Sequence, residues 1–316
     1  MRDYSINIHP ESLKPKPKKI QLQNPKNKKL IYLLPLVFLV FISIFFLSKI
    51  NLRFVAGKVI SPNAIFERGN DDLLTGIKKL TDNKQGTFSV YIYDLNKTNG
   101  IGIDETTVFT AASVNKIAIL AALYDLASNG KVDLEKIVIL QQEDIQDYGS
   151  GSIRYDPPGT PYSIKTLARL MMEKSDNTAA HILANIIITP QVIQEKINSW
   201  GLTQTDIENN KTSAKDMQIL VTKMFDGEVA NKTLTPEMLG FMDKSDFDDR
   251  IPRYLPKDIK VYHKTGDEVG KIHDVGIVAL PSHPYYLGIF TSDMTDEAGT
   301  KETLAKISKI VFDYYK

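Results

Sequence analysis

Hydrophobic residues change their spacing several times along this chain, and each change marks an element. From Leu30 to Ser48 ("LIYLLPLVFLVFISIFFLS") 19 residues pass without a charge, bounded by Lys29 and Lys49. At helical rise this run spans roughly 28 Å, close to the hydrocarbon thickness of a bilayer. It reads as one transmembrane helix, with Pro35 in its first turns, where the missing N–H matters least. Next, "DDLLTGIKKL" has a helical pattern, and "TFSVYIYDL" (87–95) alternates Phe88, Val90 and Ile92 as a strand does. Asn96–Gly100 supplies a turn and "GIGID" a hairpin partner. A helical block follows, over 112–129, 163–174, 176–187, 190–199, 213–225 and 236–244. Strand patterns resume in "KVYHKTG", "DVGIVAL" and "YYLGIFTS", and a helix over 296–314 ends the chain. Strands at both ends with helices between them predict an α/β (α+β) fold, in which an antiparallel sheet flanked by helices carries an inserted all-α domain. Such a fold places its cleft at the seam between the two parts.

Charge sharpens the domain picture. Of the chain's 39 basic and 38 acidic residues, eight and two respectively fall in 1–29, leaving 31 against 36 in the rest. The basic tail precedes the apolar run, so the positive-inside rule predicts a cytoplasmic N-terminus and an extracytoplasmic body. A cleaved signal peptide is the rival, but the run is long and no A-x-A-like site follows it. The expected organisation is a basic tail lacking periodicity (1–29), a membrane anchor (30–48), a stalk (49–67) and one folded domain (68–316). A mildly acidic body argues against nucleic acid as partner. The absence of cysteine excludes disulfides, thiolate catalysis and cysteine-ligated metal. His263 and His273 are too scattered for a zinc site, and H-E-x-x-H is missing.

Three triplets carry candidate chemistry. In "TAASVNKIAIL" Ser113 lies three residues before Lys116, on one face of a helix start. The dipole there would favour an oxyanion and a neutral amine able to take the serine proton; a serine cap followed by a snorkelling lysine is the plainer alternative. In "EKSDNTAAHIL" Ser175, Asp176 and Asn177 either cap a helix or supply a proton relay and an amide. In "VYHKTGDEVG" Lys264, Thr265 and Gly266 either open a turn or present a charge, a hydroxyl and a backbone N–H along a strand edge.

In this order, S-x-x-K, S-D-N and K-T-G resemble the signature set of class A β-lactamases and penicillin-binding proteins. "FSVYIYDLNKTNGIGIDETTVFTAASVNKIAILAALY" looks like that family's hairpin and nucleophile helix, "PPGTPYSIKTLARLMMEKSDNTAAHILANII" like its helical domain, and "KTGDEVGKIHDVGIVAL" like its inner strands. The resemblance implies a serine hydrolase without cofactor, acting on a small-molecule β-lactam or a peptidoglycan-type peptide. It makes Ser113 the nucleophile, Lys116 its base, and Ser175 and Lys264 the relay to the leaving nitrogen. Asn177 and Thr265 would hold substrate, and the N–H groups of Ser113 and Asp267 would form the oxyanion hole beside Gly266.

Departures from the family matter for turnover. The E-x-x-L-N pattern of the deacylating loop is missing, and "WGLTQTDIENNKTSAKDM" has little room for it. That leaves Glu208 as a possible deacylation base. Slow deacylation is therefore expected, with a D,D-peptidase or an idle binding module as alternatives. Asp267 sets a carboxylate beside the expected position of a substrate carboxylate. No arginine on "KIHDVGIVAL" stands ready to anchor that group, and Lys271 and His273 are imperfect stand-ins. "DYGSGSIRY" (147–155), with Tyr148, would lie over the cleft or form a plain surface loop.

Overall fold

The computed structural model describes residues 62–316, with side chains from Gly69 onward. The expected tail and anchor lie outside the described residues, as does most of the stalk. Among the described residues, no helix is long and apolar enough to cross a membrane. Helix α1 (Pro62–Thr81) starts inside the stretch read as a stalk.

Five strands form one antiparallel sheet: β1 (Thr87–Asp94), β2 (Asn99–Ile103), β7 (Val261–Glu268), β8 (Lys271–Val278) and β9 (Tyr285–Ser292). Their order is β2-β1-β9-β8-β7, so the sheet is built from both ends of the chain, as the hydrophobic pattern implies. Alternation sorts the side chains. Phe88, Val90 and Ile92 of β1 and Tyr285, Leu287 and Ile289 of β9 face one way. There they pack with Leu73 and Ile77 of α1 and with Leu304, Ile307 and Val311 of the last helix, α8 (Glu297–Tyr315). The other face is covered as well, and the Tyr286 hydroxyl donates to the Ala214 carbonyl at 3.0 Å. A strand buried on both faces needs no polar alternation, which explains the continuous apolar reading of β9.

The intervening helices are α2 (Lys116–Ser128), α3 (Ile164–Glu173), α4 (Asn177–His181), α5 (Pro190–Ser199), α6 (Ala214–Phe225) and α7 (Thr235–Gly240). Helix α2 is apolar on all sides because it runs through the interior, where Lys116 through Tyr124 are buried. Side chains cap four of the others: Ser163, Asp176, Thr189 and Ser213 accept backbone N–H groups at the starts of α3 to α6. The helix expected over 112–129 starts only at Lys116, the strand read as "DVGIVAL" spans Lys271–Val278, and two later helices also differ from the sequence reading. The helix expected over 176–187 widens after His181 into a π-helical turn (Ile182–Ile188), which keeps Ile187 and Ile188 both buried. The helix expected over 236–244 stops at Gly240, and beyond it the Met242 carbonyl accepts the His263 N–H of β7.

Two short pairings are illegible in the sequence. β3 (Phe109–Thr110) pairs with β6 (Lys211–Thr212), and β4 (Ile137–Ile139) with β5 (Pro161–Ser163). The first ties the segment entering Ser113 to the segment entering α6. Leu287, fully buried on the central strand β9, tests the packing of the sheet on α1 and α8: Leu287→Ala should lower unfolding free energy by about 2–5 kcal/mol in urea titration.

Candidate active site

The nucleophile turn is assembled before its helix begins. The Ala111 N–H donates to the Asn210 carbonyl at 2.8 Å, and Ala112 adopts φ 49°, a left-handed conformation that costs a non-glycine residue energy. A single 3-10 turn (Ala112–Asn115) then presents Ser113, half-buried, and passes directly into α2 at Lys116. No side chain caps this turn or α2, so Ser113 is not a helix cap. Lys116 does not snorkel either, being 6% exposed. Its Nζ donates to Ser113 Oγ at 3.1 Å, to the Ser175 carbonyl at 2.7 Å, to Ser175 Oγ at 3.2 Å and to Asn177 Oδ1 at 2.7 Å. Burial, and next the nearby Lys264 cation, hold the Lys116 pKa well below the usual lysine value, while Asp176 pulls the other way. An amine in that state can accept a hydroxyl proton.

The Ser-Asp-Asn triplet faces this turn from the loop between α3 and α4. Ser175, at φ 52°, is a second strained residue, and the bend turns both its carbonyl and its hydroxyl toward Lys116. Asp176 is almost fully buried and holds the loop together. Its Oδ1 accepts the Ala179 N–H, capping α4, and its Oδ2 accepts the N–H groups of Ser152 (2.6 Å) and Ile153 (2.9 Å). Asn177 gives its Oδ1 to Lys116 and donates one Nδ2 hydrogen to the Tyr148 carbonyl at 3.0 Å, leaving the other for a ligand. The 147–155 segment thus packs onto the triplet and sets the exposed Tyr148 on the cleft rim. Gly151 permits the approach: a Cβ there would lie 2.5 Å from the Asp176 carboxylate.

The Lys-Thr-Gly triplet lies on β7, the sheet edge bordering the helices. Lys264 is fully buried and donates to Ser175 Oγ at 3.1 Å and to the Thr265 carbonyl at 3.0 Å. Burial pushes its pKa down to about 8, against the pull of Asp274. Gly266 is needed because the strand touches the nucleophile turn: a Cβ would fall 2.9 Å from the Ala111 carbonyl oxygen. The structure therefore brings Ser113, Lys116, Ser175, Asn177, Lys264 and Gly266 into one cluster.

The surroundings of Asp267 correct the sequence reading. Arg250, fully buried in the loop before β7, places Nη2 at 2.6 and 2.7 Å from the two Asp267 carboxylate oxygens and Nη1 at 2.8 Å from the His273 carbonyl. Asp267 is thus not a bare negative charge, and the strand edge does have an arginine. Sequence pattern does not reveal it, because "FDDRIPRY" has no hydrophobic period, and a loop arginine between acids looks solvated. Neither stand-in serves. Lys271 pairs with Glu268 at 2.8 Å. His273 is buried with its pKa pushed down to about 4, mainly by burial, so it is neutral at pH 7, with Nε2 against the Thr110 carbonyl. His263, fully buried between Asp274 (2.9 Å) and Asp248 (3.3 Å), has its pKa raised to about 9 because those carboxylates outweigh burial.

Glu208 sits apart from the cluster's hydrogen bonds. Asp206 and Lys211 exchange backbone bonds at 2.8 and 2.9 Å, closing a tight turn over 207–210, and Glu208 is exposed on it. Where a long loop would cover α2, there is a cleft of about 1130 Å³, bordered by Lys116, Asn177, Gln194, Gln204, Glu208 and Asn210.

The comparisons give the family and the fold. A model of the beta-lactamase enzyme family matches residues 72–315, and the chain belongs to that family. It is 22% identical over 263 residues to the extended-spectrum beta-lactamase PER-1 of Pseudomonas aeruginosa, across 75% of this chain and 85% of that protein. A mutant of PBP-A, solved as an acyl-enzyme complex with penicillin G, aligns with TM-score 0.71 and 25% identity, covering 77% of this chain and 96% of that one. A beta-lactamase of Chitinophaga pinensis shares the fold at TM-score 0.73 and 21% identity, over 78% of this chain and 100% of its own.

Asp176→Asn would turn an amide group toward N–H donors that now meet a carboxylate. It should cost about 2–3 kcal/mol, and hydrogen exchange should quicken selectively across residues 147–155.

Proposed function

We propose that the folded domain is an extracytoplasmic serine hydrolase of the class A β-lactamase type, acylated at Ser113 and slow to release the acyl group. The observation that carries this reading is Lys116: a buried amine, held below its usual pKa, 3.1 Å from the Ser113 hydroxyl. In the forward step Lys116 Nζ takes the Ser113 proton while Oγ bonds to the carbonyl carbon of a lactam or D-alanyl amide. The N–H groups of Ser113 and Asp267 would hold the oxyanion, each worth about 3–4 kcal/mol. The carbon–nitrogen bond then breaks. The leaving nitrogen receives a proton through Ser175 Oγ, which lies within hydrogen-bond reach of both Lys116 and Lys264. Thr265 and Asn177 would position the substrate.

Slow release is supported by the tight 207–210 turn, where Glu208 is exposed and none of the described elements packs it toward Ser113. The same feature favours a second reading, a D,D-peptidase or penicillin-binding amidase, since the uncovered cleft offers amide and carboxylate side chains to a peptide longer than a lactam. The uncharged run 30–48 behind a basic tail supports a single-pass anchor with the N-terminus in the cytoplasm.

The test is intact mass of the protein followed over time with a penicillin. An adduct that forms at high drug concentration and persists is expected; rapid decay with drug hydrolysis would refute slow release, and no adduct would refute the lactam reading. Ser113→Ala should abolish labelling, and surviving labelling would remove Ser113 from its role. Lys116→Ala should slow acylation by about 10²–10⁴-fold. The pH profile of acylation should rise from the acid side as Lys116 loses its proton. It should decline through about pH 8, where Lys264 loses its charge.

A further inference from the structure

The Arg250–Asp267 pair lies where a substrate would run along β7. Gly266 abuts Ala111 and Ala112, immediately before Ser113, and Asp267 is the next residue on the strand. By strand alternation Asp267 shares its face with Thr265, which is also buried, and not with Lys264. The guanidinium is fully buried, and the donors it turns to the strand edge are taken by Asp267. Nη2 meets both Asp267 oxygens and Nη1 meets the His273 carbonyl, while Nε, 3.3 Å from Asp249, makes no hydrogen bond and is buried. Arg250 is fully buried, whereas the Asp267 side chain is 39% exposed. An incoming molecule therefore meets carboxylate oxygens with spare lone pairs, and the cation lies behind them.

We propose that Asp267 occupies Arg250 as a built-in carboxylate and thereby selects, along β7, for substrates that present an amide N–H there instead of a free carboxylate. This rests on the reading of Ser113 and β7 as one acylation site. A carboxylate ligand would have to displace Asp267 or stack acceptor against acceptor. An amide N–H donates to Asp267 without breaking the ion pair. The substrate class is thus an acyl peptide whose leaving portion is amidated or continues as further peptide.

The experiment is calorimetric binding of N-acetyl-D-alanyl-D-alanine and of its C-terminal carboxamide to the full chain in detergent. Ser113→Ala serves as background, so turnover cannot intervene. The carboxamide should bind about tenfold or more tighter than the acid, and Asp267→Ala should reverse that order, because like-charge exclusion is lost and Arg250 is opened. Asp267→Asn, which keeps the shape, should narrow the ratio. Acetate should raise the unfolding midpoint of Asp267→Ala by filling the vacated position and leave the parent unchanged. Equal or tighter binding of the acid by the parent overturns the proposal, as does a ratio indifferent to Asp267 or failure of both probes to bind. Loss of the Ser113 reading would appear separately, as absent penicillin labelling of Asp267→Ala, in which no carboxylate repels the drug.

Discussion

Two lysines share one hydroxyl. Lys116 and Lys264 both reach Ser175 Oγ, at 3.2 and 3.1 Å, and both are buried. Two adjacent cations out of water are costly, so at least one must yield its proton or find compensation. Burial lowers both pKa values, and the mutual repulsion lowers Lys116 further. Compensation is supplied nearby by Asp176 toward Lys116 and by Asp274 and Asp267 toward Lys264. Two of these carboxylates also hold the fold together. Asp176 caps α4 and fastens the 147–155 segment, and Asp274 meets His263 and the Ile251 N–H. The charge balance of the site and the connections of the fold are thus one network.

Strain sits on the same residues. Ala112 and Ser175 both take left-handed backbone conformations without being glycine. Such conformations persist only where surrounding bonds over-determine them. Ala112 is fixed by the short β3–β6 pairing, by the Ala111–Asn210 bond and by β7 pressing against it at Gly266. Ser175 is fixed by Lys116 from one side and Lys264 from the other. The sheet edge, the nucleophile turn and the helical part therefore hold one another, and relaxing any of them would release the other two.

Two further features border the site. The tight turn over 207–210 leaves the α2 side of the site open, and the Arg250–Asp267 pair sets a half-exposed, ion-paired carboxylate on the β7 side.

The sequence alone determined the elements, their order and three of the site's parts. Periodicity located β1, β9, α3, α5, α6 and α8 closely, because each has a long, regular apolar pattern. The three triplets were legible because their chemistry lies within four consecutive residues or fewer. Other features were decided by contacts between distant segments. β3 and β6, two residues each, have no period to read. The π-helical turn and the early stop of α7 depend on packing. Arg250 was invisible because its role arises only when a loop 17 residues upstream folds its guanidinium onto Asp267. Local pattern encodes which face of an element is buried; which charge meets which across the fold is set by tertiary packing, where the cost of an unpaired buried ion selects the partner.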